Sequence, residues 1–142
     1  MNDKKIISLL QHTELFKFLP EKVLADLAKK TTVVDVEENK PIFLQGEIGN
    51  GLYIISSGVV AIVSNDKMIA ELKEYDFFGE LALIDNAPRS AAAITKTPCT
   101  LLFIDKETFN HIAGDMPVIF RAALEVVIRY LRQQMESPIE TK

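Results

Sequence analysis

The chain has 142 residues, enough for one domain that buries roughly two-thirds of the surface its unfolded form would expose. Apolar residues make up 48% and charged residues 25%, an ordinary globular balance. The net charge of −4 argues against a general nucleic-acid binder, which needs a basic face, and makes any anion site a local arrangement set against the overall field. No apolar run reaches the roughly 18–20 residues that span a bilayer, and Met1-Asn2-Asp3-Lys4-Lys5 does not begin a secretory signal. Cys99 is the only cysteine, which excludes an internal disulfide. The expectation is a cytoplasmic protein with no membrane insertion and no direct nucleic-acid contact.

In chain order, residues 1–30 read as leading helices. Ile6, Ile7, Leu9 and Leu10 form one apolar cluster, which Leu15, Phe16, Phe18 and Leu19 continue. Pro20 and Glu21 open a second helix with Val23, Leu24, Leu27 and Ala28 at helical spacing. From Thr31 the character changes to short β-branched runs: Thr32 to Val36, Pro41 to Leu44, Leu52 to Ile55, Val59 to Val63 and Met68 to Leu72. Turn signals separate them at Glu38-Asn39, Gly46 to Gly51, Ser56-Ser57-Gly58 and Asn65-Asp66. Ala91 to Thr95 and Thr100 to Ile104 complete the set, so residues 31–104 predict a small antiparallel barrel or roll. Helix returns over 105–135, first from an Asp105 N-cap to Gly114, then from Asp115 and Pro117 to about Gln134. The predicted class is α+β: a single domain over 1–142, with an antiparallel, jelly-roll-like β-roll between amino-terminal and carboxy-terminal helices.

The stretch with the most chemistry is Phe78-Gly79-Glu80-Leu81-Ala82-Leu83, followed by Pro88-Arg89-Ser90-Ala91. A carboxylate among Phe77, Phe78, Leu81, Ala82 and Leu83 must find a partner or lose much solvation energy. It could pair with Arg89 or point to solvent at a helix start. A helical turn beginning at Gly79 would present its first N–H groups, and with a guanidinium nearby these make an anion site. Glu80 cannot bind an anion, so beside one it should accept hydrogen bonds from hydroxyls. An anion with neighbouring hydroxyls describes a sugar phosphate.

At these residues the chain resembles the cyclic-nucleotide-binding domain family, whose phosphate-binding cassette reads F-G-E-(apolar)-A-L, then a variable loop, then (P)-R-(small)-A. Residues 78–91 follow that pattern with the right spacing, and Gly46, Gly49 and Gly58 fall where the family's roll has turn glycines. The resemblance implies that Glu80 binds a ribose 2′-hydroxyl and Arg89 an exocyclic phosphate oxygen. Backbone N–H groups around Gly79, Leu81, Ala82 and Ala91, with the Ser90 hydroxyl, would complete the cradle. Ile62, Ile69 and Tyr130 are the candidates to line the base. Ala or Ser at the position of Ser90 is common in cyclic AMP binders and Thr accompanies cyclic GMP, so cyclic AMP is favoured and cyclic GMP stays open. Asn50 stands where many members carry Asp, a difference expected to affect the turn only. The resemblance implies a cyclic nucleotide as the ligand, and no separate cofactor is expected.

In the final helix Ile119, Ala122, Ala123, Val126, Val127, Tyr130 and Leu131 form an apolar stripe, with Phe120, Leu124 and Ile128 as a second line. Such a helix packs twice against its own domain, or covers the roll with one face and meets a second copy with the other. Little chain follows Leu131, which predicts a sensor without an attached effector, signalling through a homodimer or an effector protein of unknown identity. Gly46 to Gly51 lack the Lys-Ser/Thr of a phosphate-binding P-loop, and His12 and His111 show no metal-ligand spacing. No catalytic constellation stands out, so no enzyme is expected. The alternative reading is a structural or protein-interaction β-roll that no longer binds nucleotide.

Overall fold

A computed structural model describes residues 1–79 and 88–114, together with 125, 126, 128 and 129. Helix α1 (Asp3–Gln11) begins where the Asn2 side chain accepts the Lys5 amide at 2.9 Å, satisfying a donor that a helix start leaves open. Its buried side carries Ile6, Leu9 and Leu10. Leu15, Phe16 and Leu19 continue the apolar cluster but not the helix. The Thr13 hydroxyl donates to the Leu9 carbonyl at 2.8 Å, and its own carbonyl accepts from Phe16 and Lys17 at 3.0 and 2.9 Å. These short-range bonds close the helix and turn the chain tightly. Helix α2 (Glu21–Lys30) follows Pro20, with Glu21 in its first turn and Lys29 and Lys30 in its last, matching the helix dipole.

Among the described residues eight strands follow: β1 (Thr32–Val36), β2 (Pro41–Phe43), β3 (Gly51–Ser57), β4 (Val60–Ser64), β5 (Lys67–Leu72), β6 (Phe77–Phe78), β7 (Ala92–Thr95) and β8 (Cys99–Asp105). They form two four-stranded sheets, ordered β1-β8-β3-β6 and β2-β7-β4-β5, and every pairing is antiparallel. Successive strands often change sheet, which makes a jelly-roll-like β-roll of the predicted kind. The β4–β5 hairpin turns at Asn65 and Asp66, at φ +51 and +66, between the paired Ser64 and Lys67. A two-residue turn with both φ positive follows the natural strand twist, and Asn and Asp tolerate it best after glycine.

The central strands β3 and β8 are buried on both faces. Leu52, Ile54, Leu102 and Ile104 project toward the helices and share a core with Leu10, Phe16, Leu24 and Leu27. The alternate residues Ile55, Leu101 and Cys99 project into the roll and pack with Val60, Ile62, Phe78, Ala91 and Ala93. Period-two alternation therefore feeds two cores from one sheet.

Helix α3 (Lys106–Gly114) starts as the sequence predicts, with the Asp105 carboxylate accepting the Thr108 amide at 2.6 Å. Its Phe109 and Ile112 join the helix-side core. Of the final stretch, Glu125, Val126, Ile128 and Arg129 are described and helical. Ile128 is fully buried in the same core, whereas Val126 is 66% exposed. The remainder of the apolar stripe lies outside the described residues. Among the described residues no helix is long and apolar enough to cross a membrane.

Candidate functional site

The loop from Leu44 to Asn50 brings Arg89 into place. Its turn is held by the Glu47 carboxylate, which accepts the Leu44 amide at 2.6 Å, and by Gly46, which adopts φ +90. The Gly46 amide donates to the Arg89 carbonyl at 2.8 Å, and the Arg89 amide donates to the Glu47 carbonyl at 2.7 Å. An Ile48–Pro88 bridge extends this short ladder. The backbone of Arg89 is thus tied to a loop some forty residues away in sequence, a non-local contact that needs the whole roll to form.

The side chain is held separately. Nη1 donates to the Gly79 carbonyl at 3.0 Å and Nη2 to the Gly51 carbonyl at 2.9 Å, so the planar fork bridges β3 and the residue after β6. Cζ lies over the Phe43 ring, 4.1 Å from its centroid. Two glycines leave the necessary room. A Cβ on Gly49 would come within 2.5 Å of Cζ, and a Cβ on Gly79 within 2.6 Å of Nη1. Gly79 also adopts φ +79, which a side chain would strain.

Beneath the guanidinium lies an aromatic cluster. Phe78 and Phe103 pair with Tyr53 across strands, with centroids at 5.3 and 4.8 Å. Phe43 from the other sheet packs on Phe78 and Tyr53 at 5.8 and 6.0 Å. Burial raises the Tyr53 hydroxyl above its usual pKa; Arg89 opposes that shift and Glu47 adds to it. A fixed cation above an apolar floor is suited to a small anion, because low-dielectric walls strengthen the attraction.

The structure distributes the remaining sequence candidates unevenly. Ala91 is buried in the roll interior beside Phe78, and Ile62 joins the same cluster at 5% exposure. Ser90 is exposed, and its carbonyl accepts from the Ser64 hydroxyl at 3.3 Å. Ile69 sits in the β4–β5 register shift and is 36% exposed, while its neighbour Ala70, paired with Ile62, packs on the roll interior. The bulge adds one residue to β5 between the Met68 and Ala70 pairings. Glu80, Leu81, Ala82 and Tyr130 lie outside the described residues. Sequence reasoning missed Phe43, Gly51 and Tyr53 as partners of the Arg89 site. Phe43 and Tyr53 read as ordinary strand residues and Gly51 as the end of a turn, and only the pairing of distant strands gives them this role.

The family model described as cyclic nucleotide-binding domain matches residues 33–115. The chain is 36% identical to a cGMP-dependent protein kinase of Plasmodium berghei over 78% of its own length and 13% of the kinase. It is 30% identical to a CRP-like cAMP-activated global transcriptional regulator of Mycobacterium tuberculosis, over 88% of this chain and 58% of the regulator. It therefore spans only part of these relatives. Among solved structures, it superimposes on the regulatory domain of Toxoplasma gondii PKA, co-crystallised with cAMP, with a TM-score of 0.72 and 29% identity. That match covers 78% of this chain and 44% of the other. With a match over more than half its length and a roll of the same architecture, the chain belongs to the cyclic nucleotide-binding domain family.

Proposed function

We propose that this domain senses cyclic AMP in preference to cyclic GMP, with Arg89 as the phosphate partner. The carrying observation is the guanidinium held by the Gly79 and Gly51 carbonyls over the Phe43 ring. In this reading Glu80 accepts a hydrogen bond from the ribose 2′-hydroxyl. Backbone N–H groups around Gly79, Leu81, Ala82 and Ala91, with the Ser90 hydroxyl, complete the phosphate cradle. Ile62, Ile69 and Tyr130 contact the base. The cAMP in the Toxoplasma structure and the cAMP-activated mycobacterial regulator support the choice of base, as does the small residue at Ser90. The Plasmodium relative, named for cGMP, keeps cyclic GMP as the competing ligand.

The role is regulatory rather than catalytic, with the carboxy-terminal helix as the output, read by an effector protein or a second copy. Ile128 supports this route: it is buried in the helix-side core that Leu52, Ile54, Leu102 and Ile104 of β3 and β8 also enter. Ligand shifts that helix only to the extent that it binds one helix position better than another.

Calorimetry with cyclic AMP and cyclic GMP on the purified chain tests the reading. Tighter binding of cyclic AMP is expected. Arg89→Ala should lose about 2–5 kcal/mol of binding, the cost of truncating one side of a charge pair. Glu80→Ala should lose about 1.5–3 kcal/mol, as for a hydrogen bond to a charged group. No heat with either nucleotide, or unchanged affinity in Arg89→Ala, would sink the proposal.

A further inference from the structure

We infer that Phe43 is a positioning residue of this site: its ring, not the ligand, sets where the Arg89 guanidinium sits. The inference rests on the reading of Arg89 as the phosphate partner. A long arginine stem has many rotamers, and binding is weakened when the ligand must select one of them. Here the selection is made beforehand. Cζ stands 4.1 Å from the Phe43 centroid, well inside the roughly 6 Å range over which an aromatic face attracts a cation. The two carbonyl bonds orient the fork, and the ring adds an apolar contact that neither carbonyl supplies.

The ring itself has little freedom. Its neighbours Phe78 and Tyr53 are locked into cross-strand pairs of the opposite sheet, and Phe78 is only 1% exposed. The chain passes close by at Gly49, where even a methyl group would collide with Cζ and Nε at 2.5 and 2.6 Å. The guanidinium therefore lies between a fixed aromatic ring and bare backbone, which limits its alternatives without any nucleotide present. Phe43 reaches the ligand only through Arg89, so its effect must vanish when Arg89 is gone.

Three variants test this by cyclic AMP titration and by the Arg89 Nε–Hε resonance of the ligand-free protein. Phe43→Leu keeps an apolar side chain but no ring, and should weaken binding about 3- to 30-fold. Phe43→Tyr keeps the ring and should restore affinity to within about 3-fold of the unsubstituted chain. The Arg89 resonance should carry a ring-current shift that survives in Phe43→Tyr and disappears in Phe43→Leu. In an Arg89→Gln background, Phe43→Leu should cause no further loss.

Equal affinity in Phe43→Leu and the unsubstituted chain would overturn the inference. So would the same loss with and without Arg89, since the ring would then act on the fold alone. An unshifted Arg89 resonance overturns it too. Should the unsubstituted chain bind no cyclic nucleotide, the reading of the site fails, and the Arg89 resonance alone then decides whether the ring holds the guanidinium. If Phe43→Leu does not fold, the Phe43→Tyr affinity and the ring-current shift still decide the matter.

Discussion

Two glycine-to-alanine substitutions separate backbone strain from damage to the site. Gly79 and Gly46 both adopt positive φ, at +79 and +90, where a Cβ costs about 1–2 kcal/mol. They differ in what surrounds that Cβ. At Gly46 nothing lies within 4 Å. At Gly79 the new methyl group meets Arg89 Nη1 at 2.6 Å and the Gly51 carbonyl oxygen at 3.2 Å. The carbonyl belongs to the backbone of β3 and cannot withdraw, so the guanidinium must. Its displacement breaks the bonds to Gly79 and Gly51, but the displaced guanidinium gains water, so we set the added loss at about 1 kcal/mol. Gly79→Ala should therefore destabilise by about 2–3 kcal/mol and Gly46→Ala by about 1–2 kcal/mol. At this chain length 1 kcal/mol lowers the melting temperature by about 3–6 °C. Calorimetric melting should then fall about 3–6 °C further in Gly79→Ala than in Gly46→Ala, while cyclic AMP titration sets the variants apart more sharply. Gly46→Ala should keep its affinity within about twofold, whereas Gly79→Ala should lose at least about tenfold, the equivalent of one charged hydrogen bond. Equal affinities in the two variants would refute the claim that the pose of Arg89 controls the site.

Thr95 is fully buried, and its hydroxyl donates to the Glu37 carbonyl and accepts the Lys40 amide at 2.9 Å. Thr95→Val leaves both groups short of a partner and should cost about 1–3 kcal/mol in urea unfolding, with cyclic AMP affinity unchanged. Tyr53 has a pKa raised above 10.0, chiefly by burial, so the folded state keeps a proton that the unfolded state releases. The stability this contributes is complete below about pH 10 and falls as the pH rises through the folded-state value. Urea unfolding from about pH 9 to about pH 11 should show a smaller fall in Tyr53→Phe than in the unsubstituted chain. An equal fall in both would mean that Tyr53 does not titrate differently on folding.

Residues that carry their own chemistry are legible in the sequence, whereas those that act through contacts across the fold are not. Glu80 and Arg89 stand out because a charge in an apolar stretch needs a partner, and the roll is legible because β-branched runs alternate with turn residues. The register shift beside Ile69 is not legible, since a bulge leaves no residue signature in β5. Nor does the end of α1 announce itself: the apolar cluster of Ile6, Leu9 and Leu10 resumes at Leu15, Phe16 and Leu19, and between them the Thr13 hydroxyl bonds to the Leu9 carbonyl where the helix stops. Phe43 is the sharpest case. From its position in β2 it reads as one more residue for the roll interior, and it does pack there. Its second contact exists only because the loop after β2 pairs with Pro88 and Arg89 through the Gly46 and Glu47 backbone. That pairing places a cation over a ring contributed from far away in the chain. The position of this cation is thus set by topology rather than by composition. On the proposed reading, a chain of net charge −4 holds an anion because one arginine is fixed where apolar surroundings strengthen its field.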